Sequence, residues 1–297
     1  MKYKAFANFI FIMIFSLLTL GLNNKDVQAN SAIPTKYPIV LVHGWMGFSN
    51  VLGVTYFYGV KDYLTSLGYT VYEPQEDMFN TIEVRGQELA NNILLILQQS
   101  GAQKVNIIAH SMGGLDARYM ISTLGLGDKV ASLTMISTPN RGTSVADVAL
   151  QYIPGPLQNA LGVLSWFAGC TIDQQNYNTC TQNALVAASE MTTSYVKYVF
   201  NPKNPDDPRV AYFSYGASAS PFSITPVLYP SYMILLATEG QNDGLVSVSS
   251  AKWGTYMGTL NTDHLGEIGQ LLGFTAGGFR WKSFYASIAS NLQKMGY

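Results

Sequence analysis

Ser111 lies in Ala109-His110-Ser111-Met112-Gly113-Gly114, between the β-favouring run Lys104–Ile108 and a helix-compatible segment through Met120. Small residues two positions to either side, Ala109 and Gly113, suit a sharp strand-to-helix turn that lifts one side chain above a sheet. The usual pattern has Gly at both places, and Ala109 is a mild departure that keeps the steric logic. A serine hydroxyl becomes a useful nucleophile when a base takes its proton, and histidine is the usual base near neutral pH. The chain has three histidines. His43 precedes a glycine turn and reads as structural. His110 adjoins Ser111, and its ring should leave the turn on the other side. That leaves His264. The base needs an acid to hold its tautomer, and folds built on such a turn carry their residues in the order Ser, acid, His. Asp243, in Gln241-Asn242-Asp243-Gly244-Leu245-Val246, stands in a tight turn ahead of a β-like stretch and is the choice; Glu239 is the runner-up. Asp263 adjoins His264, and neighbouring side chains rarely meet in the required geometry. Asp206 and Asp207 belong to a turn-rich connector and read as a solvated pair. Two backbone N–H donors for a developing oxyanion come from Met112, after the nucleophile, and Trp45, in the turn after His43-Gly44. The chemistry such a set performs is acyl transfer.

The surrounding pattern supplies elements able to position these groups. Pro38–Val42 reads as a buried strand that delivers the Gly44–Gly47 turn. Val60, Leu64 and Leu67 recur at helical spacing before Gly68, and Thr70–Tyr72 is a second strand. Glu88–Gln99 is a helix with Leu89, Ile93 and Leu97 on one face, ended by Gly101. Leu133–Pro139 and Arg209–Gly216 are further strands, and Phe284, Ile288 and Leu292 mark a closing helix. Strands alternating with helices indicate a doubly wound parallel sheet. The alternation breaks between about residues 144 and 200, an apolar stretch interrupted by Pro154-Gly155-Pro156. A mobile lid over an apolar pocket is favoured there over a fixed packing helix.

Lys2 and Lys4, the apolar run Ala5–Leu22 and Val27-Gln28-Ala29 read as a secretory signal cut after Ala29, leaving residues 30–297 as one domain. An uncleaved anchor is the alternative, since a membrane span needs about 20 residues. A net charge of −1 gives no case for nucleic acid or anionic membranes. Charged residues make up 12%, about half the usual share near 25%, which suits work at a lipid–water interface. Cys170 and Cys180 are expected to form one disulfide in an oxidising, extracellular destination.

Several of these pieces together resemble the true lipases of the bacterial triacylglycerol lipase family that includes the Pseudomonas, Burkholderia and Proteus enzymes. They are Val40–Gly44 with Gly47-Phe48, Glu83-Val84-Arg85-Gly86, Val105-Asn106 with His110–Gly114, Asn242–Val246, and His264-Leu265. The resemblance runs from about residue 37 to the end. It implies an α/β-hydrolase fold, a mostly parallel doubly wound sheet with a helical lid insertion, and hydrolysis of long-chain acylglycerols. It also implies Ser111 as nucleophile, Asp243 as acid, His264 as base, and Trp45 and Met112 as oxyanion donors. That family carries a structural calcium, held partly by an aspartate upstream of the catalytic acid and another two residues after the histidine. The equivalents here are Tyr229 and Gly266, with Gln270 matching a third ligand position. Calcium wants carboxylate oxygens, so no metal and no cofactor is expected. The cysteine positions also differ from the family's usual disulfide, so this bridge serves another loop. Some members need a membrane-bound foldase, the chaperone partner that the resemblance brings with it; a secreted monomer is expected. A phospholipase, short-chain esterase or acyltransferase could use the same residues. The intact Ser, Asp and His set argues against a catalytically silent binding module.

Overall fold

The computed structural model describes residues 34–47, 54–152, 154–173, 180–270 and 272–297. The expected secretory signal and Phe48 lie outside them. Six parallel strands form one sheet in the order β2-β1-β3-β4-β5-β6. They are β1 (Ile39–Val42), β2 (Val71–Tyr72), β3 (Val105–His110), β4 (Val130–Ile136), β5 (Ala211–Ala217) and β6 (Thr255–Leu260). The principal helices are α1 (Val60–Ser66), α2 (Ile82–Ser100), α3 (Gly113–Ser122), α4 (Ser144–Tyr152), α5 (Gly155–Ile172), α6 (Ala184–Ser189), α7 (Tyr229–Thr238) and α8 (Trp281–Lys294).

Successive strand residues point to opposite faces, and both faces are covered. Ile39, Leu41, Ile108 and Ile136 pack with Val60 and Leu64 of α1 and Tyr285, Ile288 and Leu292 of α8. Val40, Val42, Ile107, Ala109 and Met135 pack with Leu89 and Ile93 of α2 and Ala117, Met120 and Ile121 of α3. Each such aliphatic side chain, fully buried, contributes about 1.5–3 kcal/mol. Burial on both sides is why β1, β3 and β4 are short, nearly continuous apolar runs.

Some expected boundaries shift. The helix read from Glu88 begins at Ile82, where Thr81 Oγ1 accepts the Val84 N–H at 3.2 Å. Its first turns escape apolar periodicity because a core-facing position is filled by the fully buried Arg85. The β-like stretch after Asp243 makes only an isolated bridge, Asn242 to Ser247. The strand that follows is β6, an edge strand whose residues alternate between exposed and half-buried. Pro139 does not stop β4, which ends at Ile136 ahead of Ser137 with φ 45°.

Between β4 and β5 the sheet pattern gives way to α4, α5 and α6 and a short helical stretch through Lys203. Cys170, buried in α5, is bonded to Cys180, as expected. The far end of α5 is tied down by Asp173, whose carboxylate accepts from Met78 N–H at 2.9 Å, Gln75 Nε2 at 2.9 Å and Gln182 Nε2 at 2.6 Å. The end of α6 is tied to α2 by Glu190, which accepts the Ile82 N–H at 2.5 Å. Among the described residues, no helix is long and apolar enough to cross a membrane.

Burial, opposed by the Ile82 N–H and reinforced by the charge of Glu83, raises the Glu190 carboxyl from the ordinary 4.5 to about 8. The folded chain therefore keeps a proton that the unfolded chain has lost. This contribution to stability is whole below the unfolded value and is lost as pH climbs from 4.5 to about 8. Glu190→Gln keeps an acceptor for Ile82 and replaces the carboxyl proton with N–H. Its Tm should exceed that of the wild type at pH 8 and fall less steeply across this window. Parallel Tm curves for the two proteins in scanning calorimetry would reject the assignment.

Candidate active site

Ser111 occupies the turn between β3 and α3 with φ 56°, a left-handed conformation that costs a non-glycine residue about 1–3 kcal/mol. Its N–H donates to Ile136 O at 2.9 Å, which fixes the turn against β4. The crowding explains the small neighbours. A Cβ on Gly113 would stand 2.5 Å from His43 O, and one on Gly44 would stand 2.6 Å from Ser111 Cβ. Ala109 is still within β3 and packs in the core, so the methyl group is accommodated. Ser111 retains 8% of its exposure.

The structure brings Asp243 and His264 into direct contact. Asp243 Oδ2 lies 2.8 Å from His264 Nδ1, and the His264 N–H donates to Asp243 O at 2.9 Å. The other carboxylate oxygen, Oδ1, accepts the N–H groups of Leu245 at 2.8 Å and Val246 at 2.7 Å. Burial raises the Asp243 pKa, but the charge and hydrogen bond of His264 and these two N–H groups outweigh it, and the net shift is downward. An ionised carboxylate at Nδ1 places the proton there and leaves the Nε2 lone pair for a substrate-side proton. The His264 ring packs 4.4 Å from that of His110, the residue immediately before Ser111.

His110 does turn away from the serine, into a buried network that sequence reasoning missed. Its Nδ1 is 2.7 Å from Tyr56 Oη and its Nε2 is 2.9 Å from Glu267 Oε2, while Ser137 Oγ donates to Glu267 Oε1 at 2.8 Å. Burial, then the charge of His264, lowers the His110 pKa well below the ordinary value. Burial, then the charge of Asp243, raises that of Glu267 well above its own. Both shifts favour the uncharged forms. His43 is structural, as expected. Its Nδ1–H donates to Gly44 O at 3.0 Å, its Nε2 accepts the Glu76 N–H at 3.3 Å, and burial, with the charge of Arg85, lowers its pKa to about 3.

The loop carrying Trp45 is held by Arg85. Its guanidinium donates to His43 O at 2.9 Å, to Asp77 O and to Asp116 Oδ2 at 2.9 Å, all without solvent contact. Among the described residues, the N–H groups of Trp45 and Met112 have no acceptor, whereas Met46 N–H is taken by Met78 O and Ser111 N–H by Ile136 O. Arg85 lay inside a motif, but only its full burial in a chain with 12% charged residues marks it out.

The rejected acids have other partners. Glu239 accepts from Ser144 N–H at 2.8 Å and from Ser247 Oγ at 2.5 Å. Asp206 and Asp207 lie at the surface, as expected: Asp206 is exposed and accepts from Trp253 Nε1, and Asp207 pairs with the exposed Arg209 at 2.6 Å. Asp263 accepts the N–H of Thr225 at 2.7 Å on Oδ2 and that of Gly266 at 2.8 Å on Oδ1.

These partners decide the fit of a calcium ion. Tyr229 offers a phenol on an exposed helix start, and Gly266 has no side chain. Gln270 offers one neutral amide oxygen, Oε1, buried without a hydrogen-bond partner among the described residues, while its Nε2 donates to Thr55 O and Tyr56 O at 2.8 Å each. With no carboxylate at either expected position and one amide oxygen left from the set, the donors do not make up the several oxygens, carboxylates among them, that calcium takes. His110, His264 and Glu267 place potential ligand atoms within 4.8 Å of one another. Those atoms are already committed to the hydrogen bonds above, apart from His264 Nε2.

A family model described as the alpha/beta hydrolase fold matches residues 85–253. Triacylglycerol lipase 2 of Saccharomyces cerevisiae is 36% identical over 226 residues, covering 73% of this chain and 63% of the yeast protein. The chain thus spans less than two thirds of that relative. Triacylglycerol lipase of Vibrio cholerae is 33% identical over 294 residues, covering 88% of this chain and 91% of its own. Among solved structures, Bacillus licheniformis lipase BlEst2 in mature form shares the fold with a TM-score of 0.66 and 21% identity, covering 90% of this chain and 96% of that one.

Proposed function

This chain belongs to the triacylglycerol lipases of the α/β-hydrolase family, and from that membership we propose that it is a secreted serine lipase acting on acylglycerols. Ser111 Oγ attacks the ester carbonyl while His264 Nε2 takes its proton. The tetrahedral oxyanion is held by the N–H groups of Met112 and Trp45. The imidazolium, steadied by Asp243, returns the proton to the departing alcohol and leaves an acyl-enzyme. Water, activated by the same base, then releases the fatty acid and regenerates the serine. The observation that carries this reading is the 2.8 Å Asp243–His264 hydrogen bond, in a buried cluster whose next member along the sheet is the neighbour of Ser111.

The lid segment supports a lipid rather than a small soluble substrate. Tyr152, Val163 and Leu164 are exposed on α4 and α5, and Asp147 is the one charged residue between 144 and 172. The Cys170–Cys180 bridge supports an oxidising destination.

The test is fatty-acid release from dispersed long-chain triglyceride, phospholipid and soluble short-chain esters. Rates should rise sharply once triglyceride forms droplets. Comparable rates below that point, with no gain on droplets, would make the protein a carboxylesterase, and release from phospholipid alone would make it a phospholipase.

A further inference from the structure

His264 rides on a stretch, Asn261 to Gln270, whose one regular element is the single turn of 3-10 helix at Gly266–Ile268. A base on such a loop needs an external hold, because a misplacement of about 1 Å can cost on the order of 10²-fold in rate. The far end of the loop is held by Gln270, through its two hydrogen bonds to Thr55 O and Tyr56 O.

The near end is held by Asp263. Its side chain is fully buried, yet it meets no cation among the described residues; each oxygen takes one backbone N–H instead. The Gly266 N–H lies within the His264 loop and closes its turn. The Thr225 N–H belongs to a different segment, the excursion after β5. That excursion places Ile224 and Leu228 against Gly244, beside Asp243, and clusters them with Leu265, beside His264. One carboxylate therefore ties the loop of the base to the segment that backs both the acid turn and the base.

We propose that Asp263 is a positioning residue for His264, an internal clamp that makes divalent cations unnecessary for this enzyme's activity and stability. The related lipases are expected to join the same two segments through a calcium ion, with a carboxylate two residues after the histidine. Here Gly266 stands at that place and contributes a donor rather than an oxygen. The carboxylate has moved to the other side of His264 and bonds the opposite segment directly. Charge-assisted bonds from backbone N–H groups to a buried carboxylate are among the stronger hydrogen bonds a protein makes.

This inference rests on the reading of His264 as base, and the two can fail separately. The first arm needs no activity: thermal melting of the whole protein after exhaustive dialysis against EDTA, then with calcium chloride restored. Unchanged Tm in both states is expected, together with unchanged kcat on a soluble ester. A Tm or kcat that collapses with EDTA and returns with calcium would overturn the proposal. The second arm compares Asp263→Asn with Thr225→Pro. The latter deletes one donor without touching the carboxylate, at a position whose φ of −56° already suits proline. Both should lower kcat by about 10- to 100-fold with little change in KM. If Asp263→Asn fails to fold, Thr225→Pro carries the test. Lower Tm with undiminished kcat in a folded variant would reduce Asp263 to a structural role and leave the Ser111–Asp243–His264 reading intact.

Discussion

Replacing Ser111 by alanine should lower kcat for a soluble ester by on the order of 10⁵- to 10⁶-fold, the scale set by removing the nucleophile of other serine hydrolases. The loss should be confined to chemistry. Among the described residues, Ser111 Oγ makes no hydrogen bond; the turn is held instead by the Ser111 N–H to Ile136 O. The left-handed φ of 56° is no worse for alanine than for serine. Tm should therefore stay close to the wild-type value, and covalent labelling by an alkyl phosphonate should vanish. Equal labelling of variant and wild type would discard Ser111 as nucleophile, whatever the rate. Residual activity should come from the proposed oxyanion donors at Met112 and Trp45, since such donors act without regard to what attacks the carbonyl.

Asp243→Asn should cost about 10⁴-fold in kcat, and the route to that loss is specific. The asparagine carbonyl can still accept the Leu245 and Val246 N–H groups, so the turn survives. The amide nitrogen then faces His264 Nδ1, where the carboxylate stood at 2.8 Å. Two donors cannot share that contact, so the ring takes the other tautomer, with its proton on Nε2, and no longer accepts the serine proton. KM should change little, because neither residue is called on to bind the acyl chain. A variant retaining more than about a tenth of wild-type kcat would show that the acid lies elsewhere.

Much of this site could be read from the chain because its members are marked by local geometry or by scarcity. Ser111 stands out through the small residues required by a strained turn. His264 emerges because the other two of three histidines sit at turns that commit them elsewhere. The central strands are legible for the same reason they are central: residues buried on both faces leave an uninterrupted apolar run. β6 was not legible, since Thr255–Leu260 has one solvent-facing side and includes Gly258 at φ 142°. Glu267 and Arg85 escaped for a deeper reason. Each is an ionisable residue placed by partners 130 and 31 positions away in sequence, and no local pattern distinguishes it from a solvated one. Asp263 was set aside because it neighbours His264, and it does not pair with that ring. Its bond to Thr225 joins segments 38 positions apart, which spacing along the chain cannot reveal.

Met46, Ser111 and Ser137 all hold positive φ, and they lie just beyond the ends of β1, β3 and β4, three adjacent strands. Elsewhere among the described residues the chain reserves that conformation almost wholly for glycine, with Leu272 the remaining exception. Glycine would relax the corner, but at Ser111 it would remove the hydroxyl proposed to attack the ester and at Ser137 the one that donates to Glu267. The rim is thus closed to the substitutions that most readily raise heat tolerance. An engineer seeking a hardier variant has to work on the outer helices and leave the catalytic edge tense.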